Sequence, residues 1–395
     1  MRYGSKAFRW LIIVIVNLVV LEGAAFLAVF GLGVVSPNRR WDLFLETQLA
    51  GVSDESVRHY LANRYDADLG WDNFPGTQRD GRSVLHAPWT ARYDASGARV
   101  SCLTGAAGNG DPFVATYGDS FTHGDEVNDD ETWQCALERR FQRRVTNYGV
   151  PGYGADQALL KIKRHWQQGK IAPITIFCVY EDDLRRALNR YRPFLAPDTH
   201  GTLGFKPSFR RSNDTVVLLP NPLHSEVSTV KEVKTLAISL IPTDYWARDA
   251  ARVFPEFPYS MQLLATVLRA TRREASTLRF SDNIWNVPEG RAVMLHLLTE
   301  FTAGAKRYGT RPVLLMIPKV NYSRDGRMTP PYKAFLREEL AGARLDLQVI
   351  DVADASFDER KFNLLPFEGH PSAYGNEVIA AAVFEGLGAK RSNGQ

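Results

Sequence analysis

The stretch Tyr117-Gly118-Asp119-Ser120-Phe121-Thr122-His123-Gly124 directly follows the apolar run Phe113-Val114-Ala115-Thr116. An apolar, β-prone run broken by Gly-Asp-Ser predicts a buried strand that ends in a tight turn. Such a turn presents a serine hydroxyl at the carboxyl end of a parallel sheet, where open α/β folds place their ligands. A serine there is chemically idle without a base and an oxyanion site. The far end of the chain offers a base in Pro366-Phe367-Glu368-Gly369-His370-Pro371.

Outward from that turn the pattern alternates. Strands are predicted at Phe113 to Tyr117, Val145 to Tyr148, Pro173 to Tyr180, Pro312 to Ile317 and Leu347 to Val352. The third, PITIFCVY, is a near-continuous apolar run, as expected of a strand covered on both faces. Helical spacing appears at Glu131 to Arg143, Ala155 to Gln168, Val293 to Tyr308, Pro331 to Ala343 and Ser372 to Leu387. Alternating strands and helices predict a parallel, doubly wound α/β sheet. The alternation stops between about residue 191 and residue 290, where Lys206 to Leu219 reads as a hairpin turning at Asn213-Asp214. An insertion there lies near the carboxyl ends of the strands. It reads equally as a lid or acceptor-binding element and as a structural embellishment.

The chain has 395 residues, 45% of them hydrophobic and 23% charged, which fits a folded protein rather than a disordered one. A net charge of +4 without a basic, aromatic-laced stripe gives no sign of nucleic acid as a partner. The three cysteines lack metal-ligand spacing, and their odd number argues against a complete disulfide framework. Cys102 and Cys135 leave room for one bridge, and Cys178 reads as a small buried hydrophobe. No metal, nucleotide or flavin motif is present, so neither a metal nor an organic cofactor is expected.

Residues 10–35 are almost wholly apolar, roughly the length that crosses a hydrocarbon core. Arg2, Lys6 and Arg9 precede this run, which favours a cytoplasmic N-terminus. The run is long for a cleaved signal, and no small-x-small site follows it. The expectation is therefore a short cytoplasmic segment (1–9), a signal anchor in the lipid bilayer (10–35), a lead-in (36–110) and an extracytoplasmic domain (111–395) carrying the insertion at 191–290. Glu22 interrupts the anchor. It reads first as a carboxylate that is protonated or displaced toward an interface, and second as a contact for a partner helix.

Ser120 is the candidate nucleophile, and its own N–H is a natural oxyanion donor. His370 is the candidate base, with Glu368 to orient its ring. The turn around Gly152 supplies a second backbone donor, with Asn147 placed to hold it or to meet substrate. The loop after the third strand puts Asp182 at the third oxyanion position, although an ionised carboxylate only accepts hydrogen bonds. His123 could line the pocket, and Asp119 and Asp125 read as turn-forming acids. Arg185 heads an arginine-rich run, Arg185 to Arg192, that suits an anionic or sugar substrate. The alternative reading of that run, a solvated helix face, is slightly favoured.

Together these segments resemble the SGNH (GDSL-type) hydrolase superfamily. Gly118-Asp119-Ser120 is similar to its first block and Asn147 to Gly154 to its second. Glu368-Gly369-His370-Pro371 with Gly375 is similar to its last, with glutamate in place of the commoner aspartate. Tyr180-Glu181-Asp182-Asp183 departs from the third block, Gly-x-Asn-Asp, at Asp182. The resemblance implies a three-layer α/β/α, flavodoxin-like fold, a serine ester mechanism and no metal. With the anchor, it resembles bacterial proteins that add or remove acyl groups on exported polysaccharides. That implies an esterase or O-acyltransferase at the inner membrane, with its domain in the periplasm and an acylated carbohydrate or small ester as substrate. The alternative is an inactive binding or scaffold protein of a cell-envelope polysaccharide assembly. The acyl group, the acceptor and the oligomeric state are not legible.

Overall fold

The run Ile174–Tyr180 is buried along its whole length, which a strand can be only when both sheet faces are covered. The computed structural model describes residues 3–31, 41–83, 86–103, 110–196, 203–213, 215–250, 257–261, 263–264, 284–320, 329–363 and 369–388. Its main sheet contains β1 (Val114–Tyr117), β2 (Val145–Asn147), β3 (Ile174–Tyr180), β4 (Arg311–Ile317) and β5 (Gln348–Asp351). All neighbours pair in parallel, in the order β2-β1-β3-β4-β5. This is the flavodoxin-like order, whose connection reverses direction between β1 and β3 and opens a crevice at their carboxyl ends.

Helices α1 (Trp133–Phe141) and α4 (Ala373–Gly388) cover one face, where Trp133, Leu137, Ile379 and Val383 share a core with Val114, Ile176, Cys178 and Leu315. Helices α2 (Ala155–Gln167) and α3 (Pro288–Tyr308) cover the other. There Trp166 stacks on Phe301 at 5.9 Å, and Phe301 meets Phe177 of β3 at 5.4 Å. The result is a three-layer α/β/α sandwich. The strands lie within a residue or two of the expected positions. Helix α3 starts earlier than its periodicity indicates, because Pro288 serves as its first residue. The expected helix over Pro331 to Ala343 is broken, with a π-helical turn at Leu336–Leu340 between two α-helical pieces.

The chain divides into two compact units. One holds Asp54–Thr229 and Ile284–Gln395 and contains the sheet. Its part of the insertion includes the expected hairpin, Ser208–Ser212 paired antiparallel with Thr215–Leu219. Asn213 takes a left-handed φ of 54° at the turn, and Phe209 meets His296 of α3 at 5.5 Å. The lead-in from Asp54 onward also belongs here, and it is tied to α1 by a disulfide between Cys102 and Cys135. Cys178 is free and buried in β3.

The other unit holds Met1–Ser53 and Val230–Asn283. Its N-terminal helix, Tyr3–Gly31, includes a span from Phe8 to Ala28 long and apolar enough to cross a membrane. Sequence leaves Glu22 between a carboxylate that is protonated or displaced toward an interface and a contact for a partner helix. In the structure its carboxylate accepts from within the chain, from the Tyr259 N–H at 2.7 Å and the Ser260 hydroxyl.

The disulfide closes a loop of 33 residues in sequence separation. Replacing both Cys102 and Cys135 with serine should therefore lower unfolding free energy by about 2–4 kcal/mol. Urea unfolding should show the loss, and reductant should reproduce it in the wild type but not in the variant.

Candidate active site

The turn after β1 is shaped by close packing. A side chain at Gly118 would collide with Thr122 Oγ1 at 2.2 Å and with the Cys178 carbonyl at 2.8 Å. Asp119 caps the short helix Ser120–His123, with Oδ1 accepting the Phe121 N–H at 2.8 Å. Its Oδ2 accepts from Arg186 at 2.8 Å. Ser120 is the first helical residue, so its N–H has no intrahelical acceptor.

Ser120 Oγ and His370 Nε2 stand 2.9 Å apart, although 250 residues separate them in sequence. On the other side of the ring, Nδ1 lies 3.2 Å from Glu126 Oε2. The same carboxylate oxygen accepts the His370 backbone N–H at 3.0 Å. One carboxylate thus fixes both the imidazole and the backbone that carries it. Phe121 flanks the ring at 5.3 Å between centroids, and Phe121 is itself stacked on Tyr180 at 3.8 Å.

Glu368, the expected orienting acid, lies outside the described residues. The carboxylate at His370 Nδ1 belongs to Glu126. Sequence reasoning missed Glu126, whose only local signal is its place just beyond the nucleophile turn. Its backbone takes a left-handed φ of 69°, which is uncommon for a non-glycine residue. Arg99 holds the surrounding loop, donating to the carbonyls of His123 (2.9 Å), Gly124 (2.6 Å) and Val127 (2.6 Å).

Burial works against a charged His370. The Glu126 hydrogen bond, with the nearby Asp125 and Glu126 charges, outweighs it and raises the imidazole above its ordinary range. His123 shifts the opposite way. Burial pulls it down to about 4 despite Asp125, whose Oδ1 is 2.5 Å from Nδ1. Its Nε2 pairs with the Tyr93 hydroxyl at 2.7 Å. His123 is fully enclosed and does not line a substrate pocket, which corrects that expectation.

Of the two expectations for Asn147, holding the turn or meeting substrate, the structure shows the first. Its Nδ2 donates to the His123 carbonyl at 3.1 Å, and its Oδ1 accepts the Gly149 N–H at 3.0 Å. Both ends of the buried amide are spent holding the turn, so it is a positioning residue rather than a substrate contact. Within that turn Gly152 has a φ of 81°, a conformation that favours glycine. The lead-in braces the turn through Trp71 Nε1 to the Pro151 carbonyl at 3.0 Å and Asn73 Nδ2 to the Gly149 carbonyl at 2.8 Å.

Asp182 does not fit an oxyanion donor. Its Oδ1 lies 3.1 Å from Arg185 Nε and its Oδ2 3.7 Å from Arg186 Nε, so it acts as an acceptor facing two guanidinium groups. Arg185, named as a substrate contact, has this ion pair and remains 17% exposed. Asp183 is buried, and that burial, with Asp119 close by, pushes its carboxyl well above the usual range. Among the described residues, no group of His, Cys, Asp and Glu side chains could hold a metal ion.

No family model matches the chain, and no curated protein matches it. Solved structures similar to it include two G-D-S-L proteins. One is a protein assigned to the lipolytic G-D-S-L family from Desulfitobacterium hafniense DCB-2, 14% identical, with a TM-score of 0.31 over 69% of this chain and 98% of that one. The other is a member of the lipolytic protein G-D-S-L family from Veillonella parvula DSM 2008, 11% identical, with a TM-score of 0.30 over 69% of this chain and 96% of that one.

A base must be neutral to accept a proton, so any Ser120-dependent turnover should fall as pH drops through the raised His370 value. Glu126→Gln removes the hydrogen-bonded charge that holds this value up. The acid limb of the kcat/KM profile should then move to lower pH, and the plateau should drop roughly 10- to 1,000-fold. An unchanged profile would exclude Glu126 as the orienting acid.

Proposed function

We propose that this protein is a membrane-anchored serine esterase or O-acyltransferase that acts on an acyl ester, most simply an acetyl ester, of an extracytoplasmic carbohydrate. The observation that carries the reading is the Ser120–His370–Glu126 chain of contacts at the crevice between β1 and β3. Ser120 Oγ attacks the ester carbonyl while His370 Nε2 takes its proton. Glu126 holds the ring in the tautomer that leaves Nε2 free to accept. The backbone N–H groups of Ser120 and Gly152 meet the developing oxyanion. His370 then returns the proton to the departing alkoxide, leaving an acyl-Ser120 ester. A second acceptor, deprotonated by His370, attacks that ester and releases Ser120. Water as acceptor gives hydrolysis, and a sugar hydroxyl gives transfer.

The anchor reading is supported by the apolar Phe8–Ala28 span and the basic residues before it. The Cys102–Cys135 disulfide suits an oxidising compartment such as the periplasm. One observation favours the second reading, a binding or scaffold protein. Asp182 occupies the position where an amide donor would complete the oxyanion site, and it is tied to Arg185.

Purified wild type should hydrolyse p-nitrophenyl acetate and react with a fluorophosphonate probe at Ser120. Ser120→Ala should lose both, with turnover down at least about 1,000-fold. Equal turnover by the two proteins would end the serine mechanism. Retained glycan binding by a wild type that resists the probe would favour the scaffold.

A further inference from the structure

Arg192 is only 4% exposed, and its Nε is buried without a hydrogen-bond partner. It sits in a rigid setting. Its N–H donates to the Gly204 carbonyl at 2.8 Å, and its own carbonyl accepts from Leu195 at 2.9 Å and Ala196 at 3.0 Å. The preceding Tyr191 is clamped between Phe194 and Phe205, at 5.0 and 4.5 Å. The side chain is therefore not a loose surface arginine that happens to fold inward.

Acids lie close by, yet they are engaged elsewhere. Arg186 Nη1 contacts Asp119 at 2.8 Å and Asp183 at 3.0 Å, and Arg185 Nε contacts Asp182 at 3.1 Å. Among the described residues, Arg192 enters no ion pair. Desolvation, with Arg186 and Arg185 adding repulsion that Asp182 and Asp183 only partly offset, draws its pKa down to about 9. It remains a cation at neutral pH. Burying a cation without a counter-charge is costly, and such groups in proteins are ordinarily paired. The missing counter-charge is the kind of partner that a ligand brings. The position suits a substrate: a single ion pair, Arg186 to Asp119, links this cluster to the residue beside Ser120.

We propose that Arg192 receives an anionic group, a carboxylate or a phosphate, carried by the substrate whose ester Ser120 attacks. A guanidinium pairs with either through two parallel hydrogen bonds. The substrate class is then an acylated acidic saccharide, such as a uronide or a phosphate-bearing sugar, rather than a neutral one. This rests on the esterase or acyltransferase reading for its chemistry, but the binding can be tested without turnover.

Full-length protein in detergent carrying Ser120→Ala would be heated with a deacetylated oligouronide, with inorganic phosphate and with a neutral xylo-oligosaccharide. An anion-dependent rise in Tm is expected, from the oligouronide if a carboxylate is the natural group and from phosphate if a phosphate is. Adding Arg192→Met should abolish the rise, and Arg192→Lys should keep part of it. The lysine variant also guards against misfolding of the methionine variant. In the active protein, Arg192→Met should reduce kcat/KM for an acetylated oligouronide or acetylated sugar phosphate roughly 10- to 100-fold more than for p-nitrophenyl acetate. Equal stabilisation with and without Arg192, no stabilisation by either anion, or matched losses on charged and neutral esters would overturn the proposal. Anion binding by a protein that shows no Ser120-dependent turnover would leave this site standing and sink only the catalytic reading.

Discussion

Arg186 is the interaction on which the crevice depends. Its Nη1 contacts Asp119 after β1, the Tyr153 carbonyl after β2 and Asp183 after β3. Its backbone carbonyl accepts from Lys206, which also pairs with Asp156 at the start of α2. One largely enclosed side chain therefore ties together the three loops that rim the switch point, and its backbone ties in the insertion. The arrangement is costly to disrupt. Removing the cation would leave Asp119 enclosed and unpaired, a loss on the order of 3–5 kcal/mol for a buried pair broken on one side. The same pair orients the Asp119 carboxylate, whose other oxygen caps the helix bearing Ser120. The position of Ser120 is in this sense an electrostatic consequence of a residue two loops away.

A second arginine does the same for the acid. Arg99 is buried and donates to three carbonyls between His123 and Val127 while pairing with Asp129 at 2.7 Å. That stretch contains Glu126, whose left-handed backbone needs support from its surroundings. Arg99 comes from the lead-in, so the segment before the sheet helps to shape the site as well as cover it. The disulfide at Cys102 fixes the same segment three residues further on.

The parts of this structure legible in sequence are those set by burial. β1 and β3 read as strands because every residue in them is buried, and a continuous apolar run follows from that. Ser120 and His370 were legible because strand ends in a doubly wound sheet converge, whatever their distance along the chain. Glu126 was not, since nothing in the string Asp125-Glu126-Val127 shows that the chain turns left-handed there and folds back under His370. Asn147 illustrates a subtler failure. Its place was legible, but only the two backbone contacts reveal that both ends of its amide hold the turn. The run Arg185 to Arg192 reads in sequence first as a solvated face, whereas the structure pairs Arg186 with Asp119 and Asp183 and buries Arg192. Periodicity cannot detect a charged side chain that the fold draws inward.

The placement of the acid changes which contact must be formed over long range. Ser120 and Glu126 lie on one continuous turn, so their separation is set locally once Arg99 and Asp119 are in place. Only His370 must arrive from elsewhere. It is delivered by the segment leading into α4, where Asn376 accepts the Trp133 N–H at 3.0 Å and donates to the Pro371 carbonyl at 3.0 Å. Helix α4 is thus locked to α1 within a few residues of the imidazole. The His370 N–H and ring then meet the same Glu126 oxygen, so any slip of the α4 segment would loosen both bonds at once. One long-range closure, anchored at both the backbone and the ring, therefore holds the His370 imidazole between Ser120 and Glu126.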